Sequence, residues 1–182
     1  LAIAQTARKS TIIPSDLQEG FLPGDAVQVS YTNNAVNGFR DGTLFSKDAV
    51  SDEPTFALGD SSGISPLPLY TMIMVDTTCP NSRTLHYARP NFKYNFDITN
   101  INTSSPALLD YIAPGSLDET GDNRQYSFLM YRNPGREEIT KLKLPAKGEK
   151  FDVGQFQDDN GLGDPTAGVG MVVNLGGKAD CG

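Results

Sequence analysis

Apolar and polar residues alternate with a period of two along much of this chain, and the periodic stretches are short. Residues 26–31 (Ala-Val-Gln-Val-Ser-Tyr) predict a half-buried strand. Asn33-Asn34 and Asn37-Gly38 read as hairpin punctuation leading to a short strand at residues 42–45. Pro54 opens another at residues 54–58, with the character of an edge strand. Two runs are apolar almost throughout: residues 69–76 (LYTMIMVD) and residues 126–131 (YSFLMY). Runs of this kind predict strands covered on both faces, at the centre of a sheet. Residues 85–88 are a further core strand, residues 92–98 alternate aromatic with polar, residues 137–144 alternate up to Pro145, and residues 169–175 form a last strand. Helix is expected only at residues 1–9 and at residues 151–157, where Phe151, Val153 and Phe156 supply the apolar contacts. Residues 100–121 are long and irregular, which marks a loop region that carries function. About eight short strands with few helices predict a mostly β domain, sandwich or barrel-like, with short peripheral helices.

At 182 residues the chain reads as a single domain spanning residues 1–182. Its net charge of −7 and pI near 4.6 exclude duplex nucleic acid as a partner, because no basic patch exists to displace counterions. No apolar stretch reaches the length of a membrane-crossing helix, so no integral membrane contact is expected. The chain starts at Leu1, as a processed secreted chain does and as a trimmed recombinant one does equally. Its two cysteines, Cys79 and Cys181, make neither a zinc pattern nor a CxxC pair. In a secreted protein they are expected to form one disulfide; the alternative is two unpaired thiols. Asn102-Thr103-Ser104 is the one glycosylation sequon, and Asn102 is the expected acceptor in a secreted chain.

The candidate chemistry gathers where the first apolar run ends. Asp76 closes that run and leads into Thr77, Thr78, Cys79 and Pro80, and the only histidine, His86, follows. An acid at the mouth of a central strand beside the sole imidazole is where a small polar site is built. Each residue also has a plainer role: Asp76 as a turn cap, His86 as a buried hydrogen-bonded ring, Arg124 as a solvated turn cation. Arg124 precedes the second apolar run, where a guanidinium holds a phosphate or carboxylate bidentately. No metal cluster is legible, since Asp158-Asp159-Asn160-Gly161 lacks the rest of a calcium loop. A G-x-S-x-G elbow and a phosphate loop are both missing, so no enzyme activity and no cofactor are expected.

In order and spacing these segments resemble the phosphatidylethanolamine-binding protein family across nearly the whole chain. Ile13-Pro14-Ser15-Asp16-Leu17 with Phe21 and Pro23 is similar to its opening. Asp76-Thr77-Thr78-Cys79-Pro80 stands at the family's D-P-D-A-P signature, so Thr78 replaces the second acid. Leu85-His86-Tyr87 occupies the place of its ligand histidine. Asp110-Tyr111-Ile112-Ala113-Pro114 and Gly121-Asp122-Asn123-Arg124 follow its tyrosine-proline loop and its G-x-H-R strand. The second family histidine falls on Arg124 when aligned back from Tyr126, and on Asn123 when aligned forward from Gly121; the strand register favours Arg124. The resemblance implies a large central antiparallel-rich sheet flanked by a smaller one. It also implies a non-enzymatic binding protein whose pocket takes a small anion or phospholipid headgroup, lined by Asp76, Thr78, Pro80, His86 and Arg124, with Tyr111 or Pro114 on the rim. The alternative is a protein-interaction module that inhibits a secreted serine carboxypeptidase or another protease. The acid pI, the sequon and the cysteine pair look most like the family's secreted fungal branch. Arg124 in the pocket either strengthens anion binding or pairs with Asp76 and closes the site.

Overall fold

The computed structural model describes residues 9–59 and 64–181. The helix expected at residues 1–9 lies, but for Lys9, outside the described residues. Eight strands run in chain order: β1 (Val27–Ser30), β2 (Thr43–Ser46), β3 (Thr55–Leu58), β4 (Tyr70–Asp76), β5 (Thr84–Tyr94), β6 (Asn100–Asn102), β7 (Arg124–Arg132) and β8 (Ala167–Asn174). They form one sheet in the order β1-β3-β6-β5-β4-β7-β8-β2. All pairings are antiparallel except β2 with β8. β5 is long enough to serve two groups: its first part pairs with β4, while Lys93 and Tyr94 at its end pair with β6. A small group, β1-β3-β6, is thereby joined to a larger one, β5-β4-β7-β8-β2, as expected of a central sheet flanked by a smaller one.

The two apolar runs are neighbours at the centre, as their composition demands. Every residue of β4 is buried, and β4 pairs with β7 without a break from Tyr70–Arg132 to Asp76–Tyr126. Alternation splits their side chains between two cores. Met72, Met74, Tyr126, Phe128 and Met130 join one with Val29, Phe56 and Tyr87. Ile73, Val75, Leu129 and Tyr131 join the other, closed by Ile13, Leu17, Phe21 and α1 (Val153–Asn160). α1 starts at the Asp152 cap, whose carboxylate accepts the Gln155 N–H, and stops at left-handed Gly161.

Several expectations are corrected. The Asn-rich segment after β1 is not a hairpin: β1 pairs with β3, and β2 crosses to lie parallel to β8. Residues 85–88 and the first three of 92–98 are one continuous strand, β5, which ends at Tyr94. The stretch 100–121 opens with a short strand, β6, and exposed Asn102 sits at its end, paired with Lys93. Residues 137–144 alternate without joining the sheet. Their apolar members Ile139, Leu142 and Leu144 pack on the second core, while two asparagine side chains imitate a strand partner. Asn91 accepts the Ile139 N–H and donates to its carbonyl; Asn160 does the same for Lys143. Alternation thus reports which side is buried, not who supplies the backbone hydrogen bonds.

Candidate functional site

Asp76 and Tyr126 are cross-strand partners at one end of the central pair, on the side of the first core. His86 reaches them through an irregularity in β5. Met74 pairs with Tyr87 and Val75 with Leu85, so His86 is an extra residue in the register. A bulge of this kind resets the alternation: Leu85 stays with the second core, and Tyr87 moves to the first. The His86 ring is fully buried and lies edge-on to Tyr126 at 5.2 Å between centroids. Its Nδ1 is 2.8 Å from the Ile112 carbonyl. A carbonyl only accepts, so Nδ1 carries the proton and Nε2 faces the other way. There it meets Glu119 Oε1 at 3.5 Å, with no hydrogen bond of its own among the described residues.

Asp76 is 1% exposed and both its oxygens are committed. Oδ1 accepts the Thr78 N–H at 3.1 Å, which is the turn-cap role. Oδ2 accepts Arg124 Nε at 2.8 Å and lies 2.7 Å from a second guanidinium nitrogen. Arg124 also donates to the Thr120 carbonyl at 3.1 Å. Of the two outcomes weighed for this substitution, the structure has the pairing with Asp76. Thr78 turns its hydroxyl to β7, accepting the Gln125 N–H at 2.8 Å.

Glu119 is the residue that sequence reasoning missed. It lies in the irregular segment 113–121, with no periodicity or motif to single it out, yet its side chain is only 6% exposed. Oε1 accepts the Gly115 N–H at 2.7 Å and the Tyr126 hydroxyl at 2.8 Å, and Oε2 accepts the Leu117 N–H at 2.8 Å. Burial pushes its carboxyl up, but the Gly115 N–H, the His86 ring and the Tyr126 hydroxyl outweigh burial, and the net shift is downward. Burial, with the Asp76 and Glu119 carboxylates beside it, drives the Tyr126 hydroxyl far above its ordinary range, so Tyr126 remains a donor.

Asp76, His86 and Glu119 bring ligand atoms within 4.8 Å of one another, close enough to ask whether they hold a cation. The donors already present oppose it. Thr78 N–H and two Arg124 nitrogens point at Asp76, and Gly115 N–H, Leu117 N–H and the Tyr126 hydroxyl point at Glu119. A carboxylate surrounded by donors is an anion being bound, not a metal ligand waiting for an ion.

The remaining expected residues are more dispersed. Tyr111 commits its hydroxyl to the Val50 carbonyl at 2.7 Å and to the Tyr31 hydroxyl at 2.9 Å. Pro114 is buried in the loop just before Gly115. Pro80 is exposed and lines a separate cleft of about 350 Å³ with Asp16, Arg83 and Lys150. Four surface clefts, from about 100 to about 460 Å³, are lined without Asp76, His86, Glu119 or Arg124. Cys79 and Cys181 are joined in a disulfide. It fastens the C-terminal tail alongside the site, where Gly176 and Gly177 carbonyls accept the Gly121 and Asp122 N–H groups.

Among solved structures, this architecture aligns with carboxypeptidase Y inhibitor, seen in complex with its cognate proteinase. The TM-score is 0.66 at 18% identity, over 84% of each chain. The two chains share a fold. The solution structure of CG7054 also aligns, over 88% of each chain at 22% identity, with a TM-score of 0.49. No family model matches the sequence, and no curated protein matches it.

Proposed function

We propose that this chain is a non-enzymatic, secreted inhibitor of a proteinase, a serine carboxypeptidase being the class to try first. The observation that carries the reading is the fold shared with carboxypeptidase Y inhibitor over 84% of both chains. The occupied end of the sheet supports it: with Asp76 held by Arg124 and Glu119 held by three donors, recognition falls to the surface loops. The disulfide supports an oxidising compartment, outside the cell or in a vacuole. Exposed Asn102 is the proposed glycan acceptor. In this reading the chain also belongs to the phosphatidylethanolamine-binding protein family, on the order of its motifs together with its fold. The test is residual peptidase activity across a panel of secreted serine carboxypeptidases titrated with the chain. Stoichiometric loss of activity against one of them is expected; full activity under molar excess across the panel removes the reading.

A second reading, a small-anion binding protein, is favoured by one observation: four groups from three segments converge on a single carboxylate. In this reading Asp76, Thr78, His86 and Arg124 frame the site and Pro114 lies in the adjoining loop, while Pro80 and Tyr111 stand apart from it.

A further inference from the structure

We propose that the Glu119 carboxylate is the resident ligand of an oxyanion site in this chain, and that carboxylate or phosphate anions from solution enter only when Glu119 is removed. The proposal rests on the small-anion reading and is independent of proteinase inhibition.

The site is built like one for an external anion. Two backbone N–H groups, from Gly115 and Leu117, and the Tyr126 hydroxyl each lie within 2.8 Å of a Glu119 oxygen, and His86 Nε2 stands at 3.5 Å. Tyr126 comes from β7 and His86 from β5, so two of the four groups belong to the rigid sheet. The loop turns Glu119 inward. Asp118 and Thr120 on either side are exposed, and Asp118 takes left-handed backbone with φ 63°, which reverses the chain just before Glu119. The Lys47 side chain lies over Gly115, adding a cation at the same loop.

The array does not depend on Glu119 for its anchorage. At one end Ile112 N–H donates to the His86 carbonyl; at the other Gly121 exchanges hydrogen bonds with Gly176 and Leu175. Between these anchors, loss of the carboxylate leaves two N–H groups and a hydroxyl without an acceptor, beside the His86 ring. Such a set binds an oxyanion, because unpaired buried donors are costly. A tethered carboxylate acts at an effective concentration in the millimolar range or above. An external anion of millimolar affinity therefore loses the competition in the intact chain.

The experiment uses the full chain without a tag, so that His86 supplies the only imidazole signals. Inorganic phosphate, acetate and phosphorylethanolamine are titrated into the wild type, Glu119→Ala and Glu119→Gln, and imidazole shifts are followed by NMR. Saturable shifts in Glu119→Ala are expected, at an affinity at least about tenfold tighter than in the wild type. Glu119→Gln, which keeps the shape but not the charge, is expected in between, and it carries the test alone if Glu119→Ala does not fold. Equal affinity for phosphate and phosphorylethanolamine supports recognition of the phosphate group itself; tighter phosphorylethanolamine binding supports the same site with a headgroup as its source. Equal binding by wild type and both variants overturns the internal-ligand proposal while leaving the small-anion reading standing. No response from any folded variant overturns both. Zinc-induced shifts in the wild type that vanish in Glu119→Gln overturn the proposal in favour of a cation site.

Discussion

Asp76 is almost fully buried, and Arg124, itself 11% exposed at the side chain, is its ion-pair partner. Arg124→Ala leaves the carboxylate uncompensated, and the expected loss is about 3–5 kcal/mol in urea unfolding. Replacing both partners with neutral residues of similar volume is expected to cost less, because the penalty comes from the orphaned charge. Glu119 is governed by the same electrostatics. Its carboxyl is held below the ordinary range, so it contributes stability that is complete above the unfolded value, near about pH 4.3, and is lost as pH falls through the lower folded value. Unfolding midpoints measured from about pH 6 to about pH 3 are expected to fall less steeply in Glu119→Gln than in the wild type. An identical slope in the two proteins removes the assigned role. Asp76, His86 and Arg124 were legible in the sequence because each is attached to an apolar run or a motif position. Glu119 was not, because its role comes from a loop that returns to the sheet, and nothing in Leu117-Asp118-Glu119-Thr120 tells which of the two acids turns inward.

Strand β8 depends on small residues where the N-terminal segment crosses it. A Cβ on Gly170 would overlap the Ile12 Cβ, and one on Gly168 would sit 2.6 Å from the Phe128 carbonyl and 2.8 Å from the Phe21 ring. Gly170→Ala is expected to destabilise by about 1–3 kcal/mol, since Ile12 must move with its backbone; thermal unfolding measures it. The tail after β8 is held differently, by the Cys79–Cys181 bond and by Gly121 and Asp122. Cys79→Ser with Cys181→Ser is expected to cost about 2–5 kcal/mol, because the bond closes a loop of 102 residues in the unfolded chain. Hydrogen exchange at the Gly121 and Asp122 amides should accelerate in that variant; unchanged protection there means the tail is held without the bond. At this scale the periodic segments were legible to within a few residues. One error fell where side chains replace a strand, as Asn91 and Asn160 do for residues 137–144; the others were of pairing, since the expected hairpin after β1 is replaced by pairing with β3.

β5 ties the two groups of strands together, so we expect the molecule to unfold as one cooperative unit. It pairs with β4 in the larger group and with β6 in the smaller one, and its side chains enter both cores, Tyr87 in one, Leu85 and Ala88 in the other. Neither group can lose β5 and keep its core, so unfolding followed by far-ultraviolet circular dichroism and by tyrosine fluorescence is expected to give coincident transitions. Two separated transitions mean that β1-β3-β6 melts on its own. What the sequence by itself determined was the class of fold and its centre: apolar runs at residues 69–76 and 126–131 have no low-energy place except inside a sheet covered on both faces. It also supplied the acid, the imidazole and the guanidinium that meet there. Tertiary structure alone decided their relation. The register of β4 and β7 sets Asp76 opposite Tyr126, the extra residue in β5 carries His86 to that side, and the return of residues 113–121 delivers Glu119 between them. Those distances are set by long-range pairing and by the closure of a loop, and local residue preferences carry no record of either.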